Sequence, residues 1–470
     1  MRHSVRMSAV ERVSGADRAW LLMERSTNLM VVVGLIVLGP GFDRARYREV
    51  LAGRFLAHER FRWVPVADTL GARWVEAEQF SLDDHIAYVA LPEPGTQREL
   101  EALLGELAST PFNPGRPLWM FHVIERYGEG SAIIVRIHHC YADGIALMRV
   151  LFSLTDEADA GQYKDAGEPP PSGLLPGLAE LIPLPLAAAL RGGVDLLESG
   201  VGYLLHPTQA TGLARDALAY SGELLHIAAL ADDPRTRLKQ PLSGARRAAW
   251  AAPLPLEEVR TVARVLGCTV NDVLLSTLAG ALGGYLASQG DELSGIRIRA
   301  VVPVNLRAED EPATLGNRFG LVFAELPIGL PHPLERLYAV HAAMQQLKGS
   351  SQAAATLGML SLMGTLPSSV AEPTTALFSA KASLVVSNLR GPGEDLHLAS
   401  AGITQVLFWV PEAGTIGTGV SILSYRGGVQ FGVISDREMI PHPGEVIARI
   451  GAEFERLVYL VLLGGASLLG

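Results

Sequence analysis

Apolar positions along the chain follow two periods that alternate with one another. Leu29–Leu38 is a continuous Val/Leu/Ile run closed by Gly39-Pro40, which predicts a buried strand. Arg44–Arg54 has helical spacing. Leu118–Glu125 and Ala132–His138 read as strands around Gly128-Glu129-Gly130, a β-hairpin, and a helix is expected from Gly144 to Leu154. After Glu157 the pattern breaks. Six prolines fall between Pro169 and Pro185, and Pro169-Pro170-Pro171 fits neither a helix interior nor a central strand. Helical stretches are expected over Val194–Leu205 and Ala210–Ala231, stopped by Asp232-Asp233-Pro234.

From Arg246 the α/β style resumes. Helices are expected over Leu256–Leu266, Asn271–Ser288 (with Thr269 as cap) and Pro333–Lys348, and at the C-terminus over Pro443–Leu462. Strands are expected over Ile296–Pro303, Leu321–Leu326, Leu384–Asn388, Val406–Val410, Gly419–Tyr425 and Gly428–Ile434, the last two a hairpin over Arg426-Gly427. The pattern therefore predicts an α/β chain in three parts. These are an N-terminal lobe at 1–160, a Pro-rich, partly helical crossover at 161–245, and a C-terminal lobe at 246–470.

Composition narrows the class. A chain of 470 residues suggests about three units or two large ones. Its 39 Lys+Arg against 49 Asp+Glu give a net charge of −10, a poor match to nucleic acid. Two cysteines, Cys140 and Cys268, exclude a disulfide framework and a Cys-rich zinc module. The basic N-terminus has no apolar signal core after it, so a cytoplasmic location is expected. The longest apolar stretches, Leu29–Leu38 and Leu457–Leu463, fall short of the ~20 residues that span a bilayer, which leaves room for peripheral contact with lipid.

The chemistry concentrates in Ile137-His138-His139-Cys140-Tyr141-Ala142-Asp143-Gly144, where a strand ends and a helix begins. Neighbours on a strand face opposite ways, so His138 and His139 do not share one pocket: one works and the other packs. Asp143 is placed to cap the helix, and Gly144 allows close backbone approach. A core histidine beside a capping Asp is the bland alternative. A metal site fits poorly, because the imidazoles diverge and H-E-x-x-H is absent. Thr269-Val270-Asn271-Asp272 reads as a capping box. Arg235, Arg237, Lys239, Arg246 and Arg247 form a basic cluster, either a solvated linker or an attractor of phosphates.

H-H-x-x-x-D-G resembles the signature of the chloramphenicol acetyltransferase-like, coenzyme A-dependent acyltransferases. Further strings resemble the bacterial wax ester synthase/acyl-CoA:diacylglycerol acyltransferase family: Ser14–Met30, Pro117-Leu118-Trp119, Pro241–Arg247, Thr269–Leu275, Pro303–Arg307, Gly316-Asn317 and Ser387–Pro392. The chain departs from the family in two places. Val31 follows Met30 where a His is usual, and Ser387-Asn388-Leu389-Arg390-Gly391-Pro392 replaces S-N-V-P-G-P.

The resemblance implies two chloramphenicol acetyltransferase-like lobes, each a mixed sheet with helices. It implies an O-acyltransferase that moves a fatty acyl group from acyl-CoA, a substrate, to a long-chain alcohol or diacylglycerol, with neither cofactor nor metal. His139 would be the general base and His138 structural. Asp143 would hold the turn through an arginine, Arg307 being one candidate. Asn271 would donate to the oxyanion, while Asp272 would be structural. Trp119 would position the hairpin or line an acyl tunnel. The alternatives are a carrier-dependent acyltransferase of specialised metabolism and a non-catalytic protein of membrane or lipid-inclusion surfaces.

Overall fold

The computed structural model describes residues 11–68, 71–157, 220–307 and 315–464. The prolines of the crossover and the helix expected over 194–205 lie outside the described residues. Of the helix expected over 210–231, residues 220–231 are described, and they are helical over 220–229.

Two sheets dominate. In the first, the central strands are Val31–Leu38 and Gly130–His138, paired antiparallel from Val31–His138 to Leu38–Ser131. Val31–Leu38 is buried along its whole length, as an uninterrupted apolar run requires when both faces of a sheet are covered. Trp119–Tyr127 completes the expected hairpin, and Gly128 takes a left-handed φ of 57° in its turn. Ile86–Tyr88 adds a short parallel edge.

The second sheet runs, in spatial order, Phe319–Leu326, Ile298–Asn305, Leu384–Arg390, Thr418–Tyr425, Gly428–Asp436 and Arg246–Trp250. Leu384–Arg390 is parallel to both neighbours and the other pairings are antiparallel, so this sheet is mixed. Its centre packs on helix Val270–Ser288, most of which is buried. Among the described residues this is the one helix long and apolar enough to cross a membrane, and the second lobe's core accounts for its composition.

One strand departs from chain order. Ala401–Trp409, from the C-terminal part, pairs with Val31–Leu38 in the first sheet. It also touches the second sheet, where Ser387 Oγ donates to Phe408 O (3.3 Å) and Phe408 N donates to Ser421 Oγ (3.2 Å). The expected strand Val406–Val410 is real, but its sheet belongs to the other lobe. The short edge of Val31–Leu38 is covered in this way instead of facing water.

Elements not anticipated as such include the small hairpin Trp63–Asp68/Gly71–Glu76 and the helices Gly15–Met23, Gln97–Ala108, Gln352–Met363 and Ser368–Ser379. The helix expected over 44–54 is α-helical for Arg44–Val50 and continues as a π-helical turn, Leu51–Phe55.

Helix Gly15–Met23 lies against Gln352–Met363 with almost no gap. A Cβ on Gly364 would collide with the Gly15 carbonyl, and one on Gly15 with the Ser361 carbonyl. Gly364→Ala is therefore expected to destabilise the fold by about 1–3 kcal/mol through overpacking, read from urea denaturation midpoints.

Candidate active site

His138 and His139 stand where strand Gly130–His138 ends. His138 is the last paired residue, and the ladder extends one step as His139 N donates to Met30 O (2.8 Å). Their side chains diverge, as the pleat requires. His138 is buried, and its Nδ1 accepts from Cys140 N (3.1 Å). Its proton therefore sits on Nε2, which donates to Glu24 Oε2 (2.8 Å). Burial pushes the Glu24 carboxyl up, but the hydrogen bonds from His138 and from Met30 N outweigh it and leave the group below its ordinary range.

His139 lines an apolar cleft between the lobes that encloses about 1020 Å³, some of it open to solvent. Its ring stacks on Trp20 (centroids 3.9 Å apart, planes 25° apart) and meets Phe319 at 5.6 Å. Nδ1 is buried without a hydrogen-bond partner. Burial lowers the imidazole pKa to about 4; the charge of Asp143 opposes this without cancelling it. The ring is thus neutral at neutral pH and faces a cleft walled by Met23, Phe319, Phe323, Met359, Met363 and Phe378.

Asp143 caps helix Gly144–Ser153 through Oδ1, which accepts from Ala146 N (2.9 Å). Its Oδ2 accepts from Arg318 N (3.0 Å) and forms a buried ion pair with Arg307 Nη1. Arg307 Nη2 donates to Gly316 O (2.6 Å). The arginine is thus the partner of Asp143 and fastens the turn to the other lobe. Gly144 also lines the cleft. A Cβ there would come within 3.2 Å of the Phe408 ring and 3.3 Å of Val410, so the glycine permits close contact with the strand that crosses between sheets.

Three expected residues sit elsewhere. Trp119 is absent from the wall of this cleft. It is buried among Phe55, Phe61 and His85, with Nε1 donating to Phe61 O (2.7 Å), because its strand turns that face toward the first lobe's core. Asn271, in the first turn of Val270–Ser288, does not line the cleft either. Its Oδ1 accepts from Asn388 Nδ2 (2.8 Å), and Asn388 is the residue on the wall. Asp272 completes the capping box with Thr269 and pairs with His341 Nδ1 (2.7 Å).

The basic cluster is largely consumed internally. Arg237 donates to Gln289 O, Lys239 to the carbonyls of Ser379 and Ala380, and Arg246 to Gly417 O and Asn28. One group of the described residues has the donor set for a metal ion: Cys268, Asp272 and His341, with ligand atoms within 4.8 Å of one another. Asp272 is already engaged by its cap and by His341. Burial and the Asp272 charge push the Cys268 thiol up to about 11.

Residues that the chemistry-bearing string did not reveal are Trp20, Asp17 and Asn317. Asn317 Nδ2 donates both to His139 O (2.9 Å) and to Asp17 Oδ1 (2.8 Å). The signal for them lay in Ser14–Met30 and Gly316-Asn317, strings that stand out by resemblance and carry no chemistry legible by themselves.

Two mixed sheets beside a cleft, the first completed by a strand from the C-terminal part and carrying a histidine at the end of a central strand, define the two-lobed condensation-domain fold. The first condensation domain of the calcium-dependent antibiotic synthetase has it too (TM-score 0.59, 13% identity, covering 97% of this chain and 96% of that one). So does the wax ester synthase/diacylglycerol acyltransferase of Marinobacter aquaeolei VT8 (TM-score 0.65, 22% identity, covering 97% and 100%).

The wax ester synthase/diacylglycerol acyltransferase catalytic domain matches residues 13–274 and the family's C-terminal domain matches residues 315–458, so the chain belongs to this family and is an acyltransferase. Its curated relatives include a probable diacylglycerol O-acyltransferase of Mycobacterium tuberculosis H37Rv, 27% identical over 93% of this chain and 92% of the relative. A putative diacylglycerol O-acyltransferase of M. tuberculosis CDC 1551 is 30% identical over 89% and 92%.

Proposed function

We propose that the protein transfers a fatty acyl group from acyl-CoA directly to the hydroxyl of a long-chain alcohol or diacylglycerol, with His139 as general base. The observation that carries this reading is a neutral imidazole on the wall of an apolar cleft between the lobes. A thioester is already activated, whereas a neutral hydroxyl is a weak nucleophile. His139 takes the hydroxyl proton as oxygen attacks the thioester carbonyl. The carbonyl π pair moves to oxygen, giving a tetrahedral oxyanion. When that oxyanion collapses, the C–S bond breaks and its electron pair leaves with sulfur. The imidazolium returns the proton to the CoA thiolate, so ester and free CoA are the products.

A base with a pKa of about 4 is fully available at pH 7 but a poor proton sink in isolation. The oxyanion forming beside it supplies the charge that stabilises the imidazolium in the transition state. Asn388, on the second lobe's side of the cleft, donates one Nδ2 hydrogen to Asn271 Oδ1 and has a second N–H on the same nitrogen. Acyl-CoA is a substrate here, and the mechanism calls on no cofactor or metal.

An apolar acceptor has to leave a lipid phase to reach the cleft. The end of helix Gly444–Gly464 exposes Tyr459, Leu462 and Leu463, which supports peripheral contact with a membrane or lipid inclusion from the cytoplasmic side.

Free-thiol release from palmitoyl-CoA, with product mass analysis, is expected to require hexadecanol or a diacylglycerol and to yield the corresponding ester. Turnover only with a carrier-bound acyl donor would replace this reading by the specialised-metabolism one. Lipid binding with no thiol release across acceptors would replace it by a binding protein.

A further inference from the structure

Asp17, Trp20 and Glu24 are three and four residues apart, so helix Gly15–Met23 and its C-terminal cap present them on one side. All three meet the histidine segment. Asp17 Oδ1 accepts from Asn317 N (2.9 Å) and from the same Asn317 Nδ2 that donates to His139 O. Trp20 stacks on the His139 ring. Glu24 Oε2 accepts from His138 Nε2 (2.8 Å) and from Met30 N (3.3 Å), and Met30 O in turn receives the His139 N–H. The peptide, carbonyl and ring of His139 are each reached by a separate group linked to this one helix.

We propose that this helix face is the positioning element of the reaction: Trp20 fixes the plane of the His139 ring and keeps water from it, while Glu24, through His138, sets the peptide turn that aims it. The proposal rests on the reading of His139 as the base. Two features go beyond core packing. The Trp20 indole Nε1 is buried without a partner, so the side chain is used for its flat face at the cost of an unmade hydrogen bond. Asp17 is a carboxylate with 2% exposure, burial that is costly unless its hydrogen bonds do work.

The titratable and charged groups around the ring are His138, Cys140 and Asp143 on its own segment, and Asp17 and Glu24 on the helix. Arg60 lies behind Asp17 at 3.7 Å, and Arg307 of the second lobe is paired with Asp143. All remain when Trp20 is changed, so a changed pH profile in such a variant reports water reaching the imidazole.

The test compares kcat and KM for palmitoyl-CoA with hexadecanol, from pH 5 to 8, in wild type and in the Trp20→Ala, Trp20→Leu, Trp20→Phe, Glu24→Ala and Glu24→Gln variants. Trp20→Ala and Trp20→Leu are expected to lower kcat by about tenfold to a hundredfold, the scale of a misplaced reacting group, with KM changed less than about twofold. Their activity is expected to fall below about pH 6.5 as the solvated imidazole regains its ordinary pKa, while wild type stays flat to pH 5. Trp20→Phe keeps a ring face and is expected to recover most turnover. Glu24→Gln keeps an acceptor for His138 and is expected to exceed Glu24→Ala by about tenfold.

Wild-type kcat and a flat profile in a folded Trp20→Leu protein would overturn the inference, and Trp20→Leu retains enough apolar volume to keep the test available if Trp20→Ala does not fold. Full turnover in His139→Ala would instead overturn the reading on which it stands, so the two failures are distinguishable.

Discussion

A folded His139→Ala protein is expected to lose about 10²–10⁴ of its kcat, the usual contribution of a general base, with little change in KM for acyl-CoA. The ring occupies one position on the wall of an apolar cleft with many lining residues, so its removal leaves most binding surface in place. The pH dependence follows from the same burial. The base must be neutral to accept a proton. Folding into the cleft lowers its pKa from an ordinary 6.5 to about 4, so the neutral form persists as pH falls from 8 through 6 and is lost only near 4. Wild-type kcat/KM is therefore expected to show no acid limb between pH 5 and 8 arising from this group. A limb centred near 6.5 would mean that the working histidine is solvated, contrary to the geometry. Near-normal ester formation by His139→Ala would remove it from the mechanism.

Arg307→Leu is expected to cost about 3–5 kcal/mol of folding stability, measured by urea denaturation, because it strands the Asp143 carboxylate in a site from which water is excluded. Side-chain exposures of 2% and 3% leave neither partner solvent to fall back on. Arg307→Lys is expected to recover only part, since an ammonium cannot reach Asp143 Oδ2 and Gly316 O with the two arms of a guanidinium. The double variant Asp143→Asn/Arg307→Leu is expected to be less destabilised than the sum of its parts, as the amide still caps Ala146 N without leaving a bare charge. Strict additivity would show that the pair contributes nothing as a pair.

What the sequence reveals and what it hides divide along a physical line. Local signals were sufficient for strand Val31–Leu38, the hairpin around Gly128, the capping box at Thr269 and helix Pro333–Lys348. Each is specified by residues adjacent in the chain. The alternation rule also separated His138 from His139 correctly in direction. The sheet to which Ala401–Trp409 belongs was not legible, because a Val/Leu/Phe run satisfies either core equally well. Trp20 stayed hidden for a related reason. A tryptophan at helical spacing reads as core, and only the fold shows that the ring beneath it is an imidazole. Helix Gln352–Met363 was missed because Ala, Leu and Met surround it almost evenly and leave no polar stripe to mark the period. Asn388 is equally illegible locally: it reaches the wall from a strand 117 residues away from Asn271, to which it donates.

The strand that leaves one half to complete the sheet of the other has a consequence for handling and motion. A polypeptide severed between residues 157 and 397 would give a first fragment with a raw Val/Ile edge at 31–38 and a second with a strand that has nowhere to lie, so the pieces are inseparable partners rather than autonomous modules. The same tether restricts breathing. Whatever admits a bulky acyl chain or lets an ester depart must flex around a shared staple, which favours small sideways yielding of the walls over a wide hinged swing.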